Sequence, residues 1–132
     1  NELLTNALFT APVDAAGTRV RRGDSREASR PLIGRDRITL RWATDARYLA
    51  IEVADQWGSM DVAAVGPRLA RANEVGEQNA DGGMGLALAY ACTNQLVINV
   101  APGTRTEVIA ILDVRYRPTE MAKAGSYHAF VT

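Results

Sequence analysis

Apolar positions along the chain fall into short blocks of different period, and each period predicts an element. Residues 2–9 carry Leu3, Leu4, Ala7 and Leu8 at helical spacing, which predicts a helix with one apolar side. Residues 10–37 have no sustained period and hold Pro12, Gly17, Gly23, Pro31 and Gly34, the composition of a long loop or insertion. Residues 38–44 and 48–54 alternate, are β-rich, and flank the short turn Asp45-Ala46-Arg47. They predict an antiparallel hairpin with one buried face, Trp42 packing between sheet and helices. Residues 61–73 have helical character that Gly66-Pro67 is expected to interrupt. Residues 74–81 are polar and glycine-containing and read as a mobile segment. Residues 85–92 form a helix of small residues. Residues 95–101 and 106–114, joined by Pro102-Gly103, predict a second hairpin, and residues 127–131 of the tail predict an edge strand.

This order of elements predicts an α+β two-layer sandwich, a mostly antiparallel sheet with helices on one face. At 132 residues the chain is read as a single domain, 1–132. Asn1 leads directly into what reads as the middle of a helix, so an N-terminal part that packs against this helix is expected to be missing.

Charge excludes little but changes the picture of the loop. Fifteen basic and fifteen acidic residues give a net charge of +0, so no global field favours nucleic acid or a membrane surface, and neither is expected as a partner. Residues 15–37 nevertheless concentrate seven arginines, Arg19, Arg21, Arg22, Arg26, Arg30, Arg35 and Arg37. These either grip an acidic partner or nucleic acid, or form a solvated loop, and the interruptions by Asp24, Glu27 and Asp36 favour the solvated loop. The single cysteine, Cys92, excludes an internal disulfide, fits a reducing cytoplasm, and is expected to pack inertly in the core. No apolar stretch is long enough to span a bilayer. His128 is expected on the surface or half-buried in the tail strand; lacking co-ligands, it is expected to have no catalytic or metal-binding role of its own.

Three separated segments carry candidate chemistry. Glu2-x-x-x-Asn6-Ala7 sets a carboxylate and a carboxamide one helical turn apart on one face. Asn6 offers a neutral oxygen suited to Mg²⁺, which keeps most of its waters; Glu2 could orient or deprotonate a nucleophile. The plain alternative is a solvated Glu and an Asn bonded to backbone. Asp55 ends an apolar strand and is followed by Gly58; a carboxylate there can accept from the exocyclic amine of adenine, whereas guanine presents a carbonyl. The alternative is a turn Asp capping the next segment. Gly82-Gly83-Met84-Gly85-Leu86 opens a helix whose first amides lack partners, an arrangement that can bind phosphate or be an ordinary loop-to-helix turn.

Together the three segments resemble the GHKL ATPase superfamily of gyrase, heat-shock protein 90, histidine kinases and MutL. Glu2-x-x-x-Asn6-Ala7 resembles its N box, Asp55 with Gly58 its G1 box, and residues 82–86 its G2 box. Thr106, at the start of a late strand, resembles the threonine that supports the adenine-binding Asp. The resemblance implies a Bergerat-type ATP-binding fold with ATP and Mg²⁺ as cofactors. Asn6 would ligate Mg²⁺, Asp55 would bind adenine, Gly83 and Gly85 would flank the phosphates, and Gly58, Gly82, Leu86 and Thr106 would complete the nucleotide site. A lid would span about 59–80; Arg68 and Arg71 in it could reach phosphate, but a solvated helix face is the favoured reading of both. The usual glycine of the G1 box is replaced by Trp57. That variant, with Glu2 at the first N-box position, is closest to stand-alone anti-sigma serine kinase-like proteins.

The expected function is an ATP-binding regulatory domain of bacterial signal transduction in the cytoplasm. It would phosphorylate a partner on serine, with Glu2 as catalytic base, or hydrolyse ATP weakly. Its partner would be a regulatory protein of the response-regulator or anti-sigma antagonist type, and a homodimer is compatible. The alternatives are a nucleotide-gated interaction module without catalysis, using the arginine-rich insertion from Arg19 to Arg37 as contact, and a nucleotide-free scaffold.

Overall fold

A computed structural model describes residues 1–21, 23–74, 84–115 and 125–132. The elements are helix α1 (Glu2–Thr5), continued by a π-helical turn over Asn6–Thr10, then strands β1 (Thr39–Thr44) and β2 (Tyr48–Asp55). Helices α2 (Val65–Glu74) and α3 (Met84–Ala91) follow, then β3 (Gln95–Ala101), β4 (Arg105–Asp113) and β5 (Ser126–Val131). The strands form one sheet in the order β1-β2-β4-β3-β5. Three neighbouring pairs are antiparallel and β3–β5 is parallel, so the sheet is mixed rather than wholly antiparallel. The fold is α+β, with both predicted hairpins present and β5 at the expected edge.

Strand periodicity decides what faces the helices. Val53, Val108, Ile98 and Ala129 lie on one transverse row of the sheet, and Ile51, Ala110, Leu96 and Tyr127 on the next. The core gathers on this side: Val65 and Leu69 of α2, Leu86 and Ala87 of α3, Leu96, Ile98 and Val100 of β3, and Val108 and Ala110 of β4. Leu96 and Ile98 are wholly buried, each stabilising the fold by about 1.5–3 kcal/mol through removal from water. On the other face Arg41, Glu52, Arg105 and Glu107 form a cross-strand ladder of ion pairs, with Glu52 bonded to both Arg41 (2.8 Å) and Arg105 (3.4 Å). Alternation of apolar and charged residues thus separates a covered face from a solvated one.

Several expectations are corrected. Trp42 does not pack between sheet and helices; it is 71% exposed, because β1 is an edge strand lying beyond the cover of α2 and α3. The face of β1 is likewise not buried: all six residues are exposed. Gly66-Pro67 does not interrupt α2. Pro67 sits in the first turn, where its missing N–H has no intrahelical acceptor to lose. Cys92 is exposed, because α3 ends at Ala91 and the chain turns there toward β3. His128 is exposed on β5, in keeping with its expected surface position. The expected mobile segment 74–81 lies almost wholly outside the described residues, as does much of the tail. No described helix is long and apolar enough to cross a membrane.

Candidate functional site

The last residue of β2 begins the site. Alternation along β2 puts Asp55 on the helix-facing side, two residues after Val53, and the register sets it directly opposite Thr106 of β4. Directly opposed residues share a face, so carboxylate and hydroxyl point to the same side. Both are buried, Asp55 6% and Thr106 1% exposed. Asp55 Oδ1 accepts the Trp57 N–H at 2.8 Å. Burial pushes the Asp55 carboxyl above the usual range; donors from the Trp57, Gly58 and Thr106 backbone oppose this without reversing it. The Thr106 hydroxyl also favours the charged carboxylate, yet it makes no hydrogen bond within ordinary distance and angle limits. Thr106 Oγ1 is therefore the buried side-chain polar atom left without a partner among the described residues.

The loop after Asp55 is fixed by Gly58 and Arg35. Gly58 has φ +57, and a Cβ there would run into the Ala101 carbonyl oxygen and come within 2.6 Å of Thr104 N. The Gly58 carbonyl oxygen instead accepts the Gly103 N–H at 3.1 Å, so loop and β3–β4 turn touch backbone to backbone. Arg35 donates to Gln56 O (3.3 Å) and Gly103 O (2.9 Å) and lies 4.5 Å over the Trp57 ring. Trp57 thus has a definite local role where the G1 pattern would have glycine: it offers its N–H to Asp55 and its ring to Arg35.

Above Asp55 and Thr106 lies a cavity of about 100 Å³. Val53, Asp55, Thr106 and Val108 make its floor; Leu3, Asn6 and Ala7 from the N-terminal helix and Leu86 from α3 make its walls. Its rim carries the exposed residues Arg19, Ser59, Asp61 and Arg68. Asn6 stands where the helix widens: its carbonyl oxygen accepts the Ala11 N–H at 2.9 Å, a five-residue step. Such π-turns recur at functional sites. The Asn6 carboxamide makes no side-chain hydrogen bond among the described residues and so remains available to a ligand. Ser59 Oγ donates to Ala11 O at 2.6 Å and ties this turn to the segment after β2.

Of the residues singled out in the sequence, Asn6, Asp55, Leu86 and Thr106 converge on the cavity, although they come from four separate elements. Glu2 does not line it; its Oε2 would stand 2.6 Å from a Cβ on Gly85, so the two segments meet by packing a carboxylate on a glycine. Gly58 lies behind Asp55 rather than in the lining. Gly82 and Gly83 lie outside the described residues, and so does the side chain of Arg71. Sequence reasoning missed Arg19 and Asp61. Asp61 has a detectable signal as the cap of a 3-10 turn (Val62–Ala64), its Oδ1 accepting Ala63 N–H at 3.0 Å. Arg19 has only the preceding turn pattern Asp14-x-x-Gly17. Among the described residues no cluster of three His, Cys, Asp or Glu side chains exists to hold a metal. No family model, curated protein or solved structure matches the chain.

Proposed function

We propose that this cleft binds ATP with Mg²⁺, and that the chain is a GHKL-type, Bergerat-fold regulatory ATP-binding domain of the cytoplasm. The observation that carries the reading is the buried pair Asp55–Thr106, a carboxylate beside an unpartnered hydroxyl on a floor shared with Val53 and Val108. An unsatisfied buried polar group costs free energy, which a ligand that supplies its partner restores. Adenine fits both groups: its exocyclic amine donates to the carboxylate, and a ring nitrogen can accept from the hydroxyl. Guanine would present a carbonyl to Asp55 and is disfavoured. Val53, Val108 and Leu86 line the cavity beside this pair with apolar side chains against which a base could pack.

Mg²⁺ fits the donor set too, since it commonly takes one or two protein oxygens and completes its shell with phosphate and water. Asn6 would be that protein oxygen. When bound, the ion would neutralise phosphate charge. Residues 82–86 would cover the phosphates by resemblance. In the catalytic form of the reading, Glu2 acts as base toward a serine of a regulatory partner. One observation favours the alternative, a nucleotide-gated interaction module without transfer: the Glu2 carboxylate packs against Gly85 and is not part of the cavity lining. Calorimetric titration of Mg-ATP and Mg-GTP into the wild type and Asp55→Ala tests the pocket. ATP binding that the variant loses, with GTP inactive, is expected. Equal affinity of ATP and GTP, or ATP binding undiminished in Asp55→Ala, would remove the adenine assignment. Transfer to a partner that Glu2→Ala abolishes while retaining ATP binding would select the kinase form.

A further inference from the structure

Arg35 reaches the floor of the cleft without lining it. The residue is exposed and lies outside the cavity, yet its guanidinium donates to two carbonyl oxygens, Gln56 O and Gly103 O. Gln56 follows Asp55 directly, and Gly103 lies in the turn between β3 and β4 that leads to Thr106. One side chain therefore clamps the two strand ends that carry the floor pair. Arg35 is itself held. It sits in the 3-10 turn Gly34–Asp36, where Gly34 takes φ +56 and its carbonyl oxygen accepts the Arg37 N–H at 3.3 Å. Asp36 pairs with Arg21, which donates to Leu8 O of the helix that walls the cleft. A guanidinium on a fixed backbone loses less freedom in making its bonds than one on a loose loop.

The bond to Gln56 falls on a peptide group that also serves Asp55. The carbonyl of the Gln56–Trp57 peptide accepts from Arg35 Nε at 3.3 Å, and the N–H of the same peptide donates to Asp55 Oδ1 at 2.8 Å. This peptide is thereby held at both ends. A cationic donor on its oxygen polarises it and strengthens its N–H as a donor. The Trp57 ring completes the grip, 4.5 Å from the guanidinium, whose planar fork stacks and donates at once. Asp55 is 6% exposed, so its orientation is set by such donors rather than by bulk water.

We infer that Arg35 is a positioning residue for Asp55, acting from outside the cleft through the Gln56–Trp57 peptide to fix the carboxylate on the cleft floor. The arginine-rich insertion thereby serves the site, and Trp57 stands where the G1 pattern has glycine because its ring seats Arg35. The effect on a ligand rests on the adenine reading; the effect on the peptide does not, so the two fail separately. The peptide is read first, from the Trp57 amide proton in NMR spectra of the ligand-free protein. Arg35→Gln should move it upfield, the sign of a weaker hydrogen bond, and Arg35→Lys, which keeps one cationic donor, should fall between. In Asp55→Ala, where the acceptor is gone, Arg35→Gln should move it less. An unmoved amide, or an equal displacement in both backgrounds, would overturn the inference, since Arg35 would then only brace a turn. Calorimetry reads the ligand. Arg35→Gln should weaken Mg-ATP about threefold to tenfold, a hydrogen bond discounted for an exposed cation, and leave unchanged the triphosphate of a purine ribonucleoside lacking the exocyclic amine. Equal weakening of both nucleotides would overturn a role through Asp55. If the wild type binds no ATP, the adenine reading fails, and the amide comparison alone decides the role of Arg35.

Discussion

Replacing Thr106 by valine separates a ligand-binding hydroxyl from a structural one, because the two roles predict opposite signs. Thr106 is 1% exposed, lies at a central position of the sheet, and its Oγ1 has no partner among the described residues. Leaving such a group unpaired costs about 1–3 kcal/mol. Valine has nearly the same volume and the same β-branch, so the substitution removes the penalty without opening a cavity. The ligand-free protein should gain about 1–2 kcal/mol, the lower part of that range, because the hydroxyl's favourable effect on the Asp55 carboxylate is lost with it. For a domain of this size that is a rise of roughly 3–10 °C in Tm. ATP affinity should move the other way, by about 1 kcal/mol or roughly fivefold, through loss of one neutral hydrogen bond. Differential scanning fluorimetry without nucleotide and calorimetry with it read the two effects. A variant of lower Tm with wild-type ATP affinity would refute the reasoning, since the hydroxyl would then stabilise the fold and not the ligand.

Gly58→Ala should lower stability by about 2–4 kcal/mol, the sum of a left-handed alanine and a steric clash with the β3–β4 turn; chemical denaturation with an unchanged midpoint would contradict the packing described. Gly85→Ala should be neutral or destabilising in the wild type, where the new Cβ meets Glu2 Oε2, and less costly in Glu2→Ala, where only the 3.3 Å contact with the Cβ of residue 2 remains against a helix-propensity gain of about 0.5–1 kcal/mol. Additive effects in that double-mutant cycle would show that the two residues do not touch. Asp113 is held well below the usual carboxylate range by the Arg115 and Arg47 guanidiniums and the Arg115 N–H. A depressed native pKa gives a contribution present above about pH 4 and lost as pH falls through the native value. Asp113→Asn should therefore lower Tm at pH 7 and lower it progressively less below pH 4; a Tm difference independent of pH would contradict the ion pairs.

Much of this site is legible in the sequence because it depends on strand alternation. The hairpins at Asp45-Ala46-Arg47 and Pro102-Gly103 have alternating arms, so the chain itself announces strands that carry Asp55 and Thr106. What brings the two opposite one another is the pairing of β2 with β4, a long-range contact that local pattern does not encode. The same limit explains the errors. Trp42 alternates correctly with its neighbours, but whether helices reach the edge strand depends on their number and direction. Cys92 follows an apolar run yet lies past the helix end. Pro67 reads as a breaker unless the helix start is known to lie at Val65. Arg19 was the least legible, because a residue in an aperiodic segment acquires its place through one Asx turn and a single bridge.

The most direct test of the central claim is an amide chemical-shift map recorded while Mg-ATP is added to ¹⁵N-labelled protein. Binding in the proposed cleft predicts saturable shifts at Ala7, Asp55, Trp57 and Thr106, and none at Arg47, Asp113 and Val114, which lie at the far end of the same strands. Shifts centred on that far end, or no shifts anywhere at millimolar nucleotide, would contradict it.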